Sequence, residues 1–206
     1  MSVPIITKET GAGLVNANSY ADVADADAYH LGHLYAAAWN AADDDHCAAA
    51  LVMAMRLIDA SYQFEGWKAM TGQALQWPRM DCPEPDGATA VFRASDYYPA
   101  GAPEIIVVPA GPGQIRIIEA VLTVPGDVVP KAIVEATCEL ARELLVRDRT
   151  AAPAGEGLKF HNEGSTQTGY DKSDTPPVIP KLVQAMLSKY GSLVSAQSGA
   201  VNLVRV

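Results

Sequence analysis

Apolar residues recur at helical spacing along much of this chain. The clearest stripe is Leu51, Met55, Ile58 and Tyr62, which stand at positions i, i+4, i+7 and i+11. The pattern predicts an amphipathic helix with one face in the core, starting at Asp43–Asp45 and running to about Tyr62. The three acidic residues at its start complement the positive end of the helix dipole.

Two other helices are predicted from their end signals. Asp22-Val-Ala-Asp25 resembles a capping box and predicts a helix from about Val23 to Leu34. Between these two helices, the alanine-rich stretch around Trp39 predicts a short helical turn. Near the end of the chain, Pro176, Pro177 and Pro180 lead into a short helix from Lys181 to Tyr190, which Gly191 ends.

The broadest apolar surface belongs to a helix predicted from Pro130 to about Arg149. Proline suits the first helical position, and the apolar residues that follow cover more than one narrow stripe. We therefore expect this helix to be central. If Leu144 is fully buried, replacing it with alanine should cost roughly 2 to 5 kcal/mol.

Extended segments are predicted between and after the helices. Residues 104–108 and 114–124 are rich in isoleucine and valine and flank Pro109–Gly113, which predicts a β-hairpin. The stretch after Ala151 predicts an extended loop or a second hairpin, and Val201–Val206 alternates weakly, as a terminal strand would.

These elements predict a mainly α fold: a small bundle of three to four helices with an inserted β-hairpin and an extended C-terminal loop or arm. We expect a single domain over residues 1–206. Its parts are a helical core of residues 1–80 plus 127–150, a hairpin insertion at 85–126, and an extended loop, short helix and tail at 151–206.

The segment Gln73–Arg79 predicts a stiff turn. Pro78 restricts its own backbone and that of the residue before it, Trp77 offers a large apolar face, and Arg79 offers a rigid fork of donors. We expect Trp77 to fill the core beneath the turn and Arg79 to pair locally or with a neighbouring subunit.

Charge limits the classes of partner. The 206 residues carry a net charge of −9, and the acidity belongs to residues 1–126. Nucleic-acid binders depend on lysine and arginine clusters, and none is evident, which argues against tight binding of nucleic acid. Three widely spaced cysteines predict free, mostly buried thiols. No apolar run is long enough to cross a bilayer, so no membrane partner is expected.

Catalytic and metal-binding templates fail at identifiable places. Gly111-Pro-Gly113 is followed by Arg116 where a dinucleotide fingerprint needs glycine, and neither a Walker motif nor a GxSxG elbow occurs. His46 and Cys47 are adjacent on a helix and point apart. Asp43–Asp45 lacks the glycine and glutamate of a calcium loop, and His30 and His33 lack further ligands. We therefore predict no catalytic, cofactor or metal site, and no enzyme.

The basic residues Arg142, Arg147 and Arg149 lie near the end of the predicted central helix. Cations are favoured at a helix C-terminus, so a solvated end or an ion-pairing role is the preferred interpretation. Phosphate binding is the alternative.

The order of the signals also carries a resemblance. In sequence they are Asn18-Ser-Tyr20, Ala24–Tyr29, Trp39, Arg56–Asp59, Gly66, Gln73–Arg79 and the helix that starts at Pro130. This order resembles a family of tailed-phage proteins labelled DnaT-like single-stranded-DNA-binding proteins. That family is similar in helical layout to the head-completion, or adaptor, proteins of tailed phages.

The resemblance implies a structural role in the virion, as a head-to-tail connector. It implies a homo-oligomeric ring, expected to be dodecameric, that docks under the portal and contacts tail or neck proteins. Duplex DNA would pass through the lumen without tight binding, which suits an acidic chain. The protein would be made in the bacterial host cytoplasm and reside in the virion neck. The residues expected to have structural or interface roles are Trp39, Trp77, Pro78, Arg79, Phe160, Tyr170, Leu203 and Val204.

The alternative is the role in the family label, a single-stranded-DNA-binding protein of phage replication. Such a role calls for a positive groove lined with stacking aromatic side chains. Trp39, Trp67 and Trp77 have few basic neighbours beyond Lys68 and Arg79. On the sequence alone, the connector is therefore preferred.

Overall fold

The computed structural model describes seven ranges of the chain: 5–85, 108–111, 114–116, 123–151, 160–163, 166–169 and 176–194. It confirms the mainly α class. The helices within these ranges are α1 (Val23–Leu31), α2 (Ala37–Ala41), α3 (Asp44–Ser61), α4 (Lys131–Val146) and α5 (Lys181–Leu187). None of them is both long enough and apolar enough to cross a bilayer.

Side-chain caps determine where α1 and α3 begin. The Asp22 carboxylate accepts from the Asp25 N–H, and the Asp25 carboxylate accepts from the Asp22 N–H, which confirms the capping box. At α3, Asp43 caps the helix by accepting from the His46 N–H over 2.8 Å. The predicted end of α1 at Leu34 was wrong, because the chain turns at Gly32, whose N–H bonds to the Tyr29 carbonyl.

The core lies between α3 and α4. The predicted stripe of Leu51, Met55, Ile58 and Tyr62 is buried as expected. Helix α4 packs against α1, α2, α3 and α5, so its central position is confirmed. Leu144 is only half-buried beside that core, so the cost expected for a fully buried site does not apply to it.

The strands form four antiparallel pairs within the described ranges. They are β1 (Tyr62–Phe64) with β8 (Gly191–Leu193), β2 (Trp67–Lys68) with β3 (Arg79–Met80), β4 (Val108–Gly111) with β5 (Gln114–Arg116), and β6 (Phe160–Glu163) with β7 (Thr166–Gly169). The inserted hairpin is present, but the predicted turn at Pro109–Gly113 was wrong in extent because β4 includes residues 109–111. The predicted terminal strand at 201–206 lies outside the described residues.

The N-terminal segment is fixed by a buried carboxylate. Glu9 is almost fully buried, and its two oxygens accept from the backbone N–H groups of Gly11, Gly13 and Leu14 at 2.8 to 2.9 Å. Lys8 and Ser19 form a parallel bridge next to it. Residues 8–19 are therefore a packed loop against the helices.

Candidate nucleic-acid interface

The Gln73–Arg79 turn is built on a buried tryptophan. Trp77 is fully buried, and its ring meets Phe64 and Tyr190 edge-on with centroids 5.7 and 5.8 Å away. The Trp77–Pro78 peptide bond is cis. Trp77 thus fills the core beneath the turn and has no surface left for a ligand.

A buried hydrogen-bond network fixes the backbone just before Trp77. The Tyr20 hydroxyl donates to Asp59 Oδ1 over 2.6 Å and accepts from the N–H groups of Gln76 and Trp77 at 3.0 and 3.2 Å. Asp59 Oδ2 also accepts from the Gln76 N–H over 2.9 Å. Burial raises the pKa of Asp59 and raises that of Tyr20 well above its usual value. The network joins α3 to the turn.

The Arg79 side chain points inward, and its N–H groups donate hydrogen bonds within the protein. Its Nε donates to the Glu65 carbonyl over 2.7 Å, and Nη2 donates to the carbonyls of Phe64 and Gly66 at 3.2 and 2.6 Å. Its Nη1 donates to Gln76, through both the backbone carbonyl and Oε1, at 3.2 and 3.0 Å. Burial lowers the pKa of Arg79. The guanidinium therefore pairs locally and is not exposed to phosphate.

Gln73 closes the other side of the turn. Its buried amide donates to the carbonyls of Leu75 and Pro78, both at 3.0 Å, and its Oε1 accepts from the Met70 N–H over 2.8 Å. The Ala69 N–H also donates to the Pro78 carbonyl over 3.1 Å. Residues 69–79 are thus held by their own polar groups.

This frame supports a short two-stranded ribbon, β2 with β3, which we term the Trp67 ribbon. Trp67 lies directly opposite Met80, so the two side chains share one face of the ribbon. They are 58% and 46% exposed. Gly66 has a φ of 69°, and a Cβ there would stand 2.0 Å from the Met80 carbonyl, so the strands approach closely at this point. An exposed indole is therefore presented on a well-supported base.

The charge around the Trp67 ribbon is mixed. Lys68 is exposed, and its Nζ donates to the Gln73 carbonyl over 3.3 Å. Glu65 and Asp81 flank the two strands and are exposed. Arg56 is exposed on α3, one turn before Asp59, whose carboxylate interacts with the charge of Lys68. The ribbon thus offers an aromatic face with few cations, a surface suited to stacking more than to charge neutralisation.

The residues expected to have structural or interface roles are distributed over several parts of the chain. Trp77, Pro78 and Arg79 are buried in the turn. Trp39 is also buried; it packs on His30 with a centroid distance of 4.9 Å, and its Nε1 donates to Asp27 over 2.8 Å. Trp39 and Trp77 therefore belong to separate aromatic groups. The side chain of Phe160, in β6, and residues Tyr170, Leu203 and Val204 lie outside the described part of the chain.

Trp67 was not among the residues singled out from the sequence. The sequence around it gives no signal of exposure, because Ala69 and Met70 follow Trp67 at strand and helical spacing, as they would follow a core residue.

The histidine, cysteine and acidic side chains that the structure describes do not converge on a metal site. Within these ranges no group of three or more histidine, cysteine or acidic residues could hold a metal ion. The three cysteines are free and buried, as predicted, and burial raises the pKa of Cys47 and Cys82 to about 11 and that of Cys138 to about 12. Their thiols are therefore protonated near neutral pH.

The neighbours His46 and Cys47 have separate partners. His46 Nδ1 lies 2.6 Å from Asp43 Oδ1, whereas Cys47 Sγ faces the Trp39 carbonyl at 3.9 Å. Two of the three basic residues near the end of α4 form ion pairs. Arg142 and Arg149 both bind Glu143, as the ion-pairing interpretation predicted.

The match to a known family falls on the part of the chain that holds the Trp67 ribbon. Residues 5–90 match the family described as "Putative DnaT-like ssDNA binding protein". The matched region spans α1 to α3, the Gln73–Arg79 turn and the Trp67 ribbon, and it covers less than half of the 206 residues. No curated protein and no solved structure matches the chain.

The match overturns the preferred functional prediction. The prediction of a head-completion or connector protein was wrong, because the family found is described by single-stranded-DNA binding and not by a place in the phage neck. The expected partners, a dodecameric ring with portal, tail or neck proteins and duplex DNA in its lumen, were wrong for the same reason. The acidic balance and the order of helices led to the error, since both also fit a DNA-binding chain that relies on stacking.

Proposed function

We propose that this chain binds single-stranded nucleic acid and that the Trp67 ribbon is the contact surface. The observation that carries the proposal is Trp67 itself: of the chain's three tryptophans it alone is exposed, and it lies within the matched residues 5–90. Bases in a single strand have free faces, and stacking on an aromatic side chain is the usual means of binding them. The buried turn beneath the ribbon fixes the indole before binding, which lowers the entropic cost.

The expected affinity is modest. Stacking of one base on a tryptophan contributes about 1–3 kcal/mol. Lys68 in β2 and Arg56, which is exposed on α3, offer contacts to one or two phosphates. Each phosphate contact on a single strand changes the salt slope by about −0.7, so we expect a slope of about −0.7 to −1.4. The net charge of −9 opposes binding, so affinities in the micromolar to millimolar range are expected at physiological salt.

Fluorescence anisotropy with a labelled oligothymidylate tests the proposal. Trp67→Ala should weaken binding by about five- to a hundredfold, the equivalent of one lost stacking interaction. Tyr35→Ala is the matched control, because Tyr35 is an exposed aromatic residue in the loop between α1 and α2 and not on the ribbon. If both variants weaken binding equally, or if neither weakens it, the Trp67 ribbon is not the contact surface.

Lysine variants test the electrostatic part. Lys68→Ala should weaken binding and make the salt slope shallower by about 0.7, whereas Lys181→Ala, an exposed lysine on α5, should change neither. An unchanged slope for Lys68→Ala would show that its ammonium does not contact phosphate.

Binding of this kind needs no catalytic group, and we expect no enzymatic activity. The site of action that fits it is the bacterial cytoplasm, where single strands arise during replication. Both statements remain predictions.

A further inference from the structure

The loop between α1 and α2 exposes its large apolar side chains. Leu31, Leu34 and Tyr35 are 91%, 85% and 73% exposed, within five consecutive positions of the chain. We term residues 31–35 the Leu31–Tyr35 loop. Single exposed apolar residues are ordinary, but a cluster of large ones marks an interaction surface.

The backbone of this loop is held in place from within. The His33 N–H donates to the His30 carbonyl over 3.0 Å, and the Tyr35 N–H donates to His33 Nδ1 over 3.1 Å. The rings of Tyr29, His30 and His33 lie in succession with centroid distances of 5.0 and 5.9 Å, and the exposed Tyr35 ring lies 6.4 Å from that of His33. The exposed side chains therefore stand on a fixed base and need little ordering on binding.

Helix α4 also holds the loop. Arg142 Nη1 donates to the Tyr35 carbonyl over 3.4 Å, and His33 Nε2 lies 3.4 Å from Glu139 Oε2. The Arg142 charge is itself paired, since its Nη2 lies 2.6 Å from both Glu139 and Glu143. The arginine thus fixes the loop without offering a free cation at this surface.

The residues on either side of the loop in sequence are acidic. Residues 22–46 contain six aspartates and neither lysine nor arginine, although Lys8 pairs with two of the six, Asp22 and Asp25. Asp27 on α1 and Asp43–Asp45 at the start of α3 are exposed. This charge disfavours an anionic lipid surface and nucleic acid at the loop. It also disfavours a second copy of this chain, whose net charge is −9.

We propose that the Leu31–Tyr35 loop docks onto another protein, inserting Leu31, Leu34 and Tyr35 into an apolar pocket or groove framed by lysine and arginine. The apolar side chains act as anchors, and the aspartates steer and orient the basic partner. This surface is separate from the Trp67 ribbon, so the protein can hold a single strand and a basic partner at the same time.

The test uses a labelled synthetic amphipathic peptide of leucine and lysine as the probe, followed by anisotropy. The triple variant Leu31→Ser, Leu34→Ser, Tyr35→Ser should bind it about tenfold or more weakly than the wild type. Leu182→Ser is the matched control, because Leu182 is an exposed leucine on α5. It should bind as the wild type does.

The same peptide with glutamate in place of lysine should not bind, and the double variant Asp44→Lys, Asp45→Lys should weaken binding of the lysine peptide.

Several results would overturn the proposal. The lysine peptide could fail to bind the wild type, or the triple variant and Leu182→Ser could lose affinity for it equally. Binding of the glutamate peptide to the wild type would also contradict the proposal. Sedimentation that shows a dimer lost in the triple variant would assign the loop to self-association, and loop-dependent binding to vesicles of anionic lipid would assign it to membranes. Because all three substituted side chains are exposed, the variants should melt as the wild type does. Trp67→Ala should bind the peptide normally, which separates this proposal from the one on nucleic acid.

Discussion

Replacing Arg79 with lysine distinguishes a structural arginine from a phosphate-binding one. The substitution keeps the positive charge but removes the fork that reaches the carbonyls of Phe64, Glu65, Gly66 and Gln76. An ammonium has three donors, so it can satisfy only part of this set and leaves buried carbonyls without partners. Each such group costs about 1–3 kcal/mol, so we expect a loss of about 2–4 kcal/mol in the free energy of unfolding.

Urea denaturation and thermal melting would measure this loss. For a chain of 206 residues, 2–4 kcal/mol corresponds to a decrease in Tm of about 4–16 °C. Below the transition, Arg79→Lys should bind oligothymidylate with unchanged affinity, because the guanidinium faces the protein interior. An unchanged Tm together with a large loss of binding would refute the argument and place Arg79 in contact with the ligand.

Three further substitutions concern α4. Leu140 is fully buried and Leu144 half-buried, so Leu140→Ala should cost about 2–5 kcal/mol and Leu144→Ala about half as much; equal losses in urea denaturation would contradict the packing. At Glu143, partial burial opposes ionisation, but the guanidiniums of Arg149 and Arg142 hold its pKa below the usual value. Its contribution to stability is therefore present above the unfolded-state pKa of about 4.3 and lost as the pH falls through the lower folded pKa. Glu143→Gln should be destabilised at pH 7 and should lose less stability than the wild type on going from pH 5 to pH 3. A parallel pH profile for the two proteins would count against these ion pairs.

Local signals predicted the elements of the fold well. Asp22 and Asp43 each begin a helix because a carboxylate satisfies backbone N–H groups a few residues away, and this chemistry is visible in the sequence. The stripe of α3 from Leu51 to Tyr62 follows from helical periodicity alone. Burial of Trp77 was also predictable, because a large apolar indole beside the stiff turn at Pro78 is stabilised most by packing into the core beneath that turn.

The candidate site was harder to predict, because exposure depends on distant contacts. Nothing near Trp39 or Trp67 in the sequence says which indole is buried; Trp39 packs on His30 and donates to Asp27, whereas Trp67 lies opposite Met80 on the ribbon. Likewise, Arg79 points inward because of carbonyls 13 to 15 residues earlier in the chain. The Arg79 guanidinium therefore bonds within the fold and is not available to a ligand.

The fluorescence of Trp67 is the most direct measure of single-strand binding at the ribbon. Its indole is 58% exposed, whereas Trp39 and Trp77 are 2% and 0% exposed, so a base that stacks on the protein should quench Trp67. We predict saturable quenching by oligothymidylate in the wild type. Trp67→Phe should still bind, as anisotropy would show, but without that quenching. Undiminished quenching in Trp67→Phe, or no quenching in the wild type at saturating oligonucleotide, would contradict the assignment of this surface to nucleic acid.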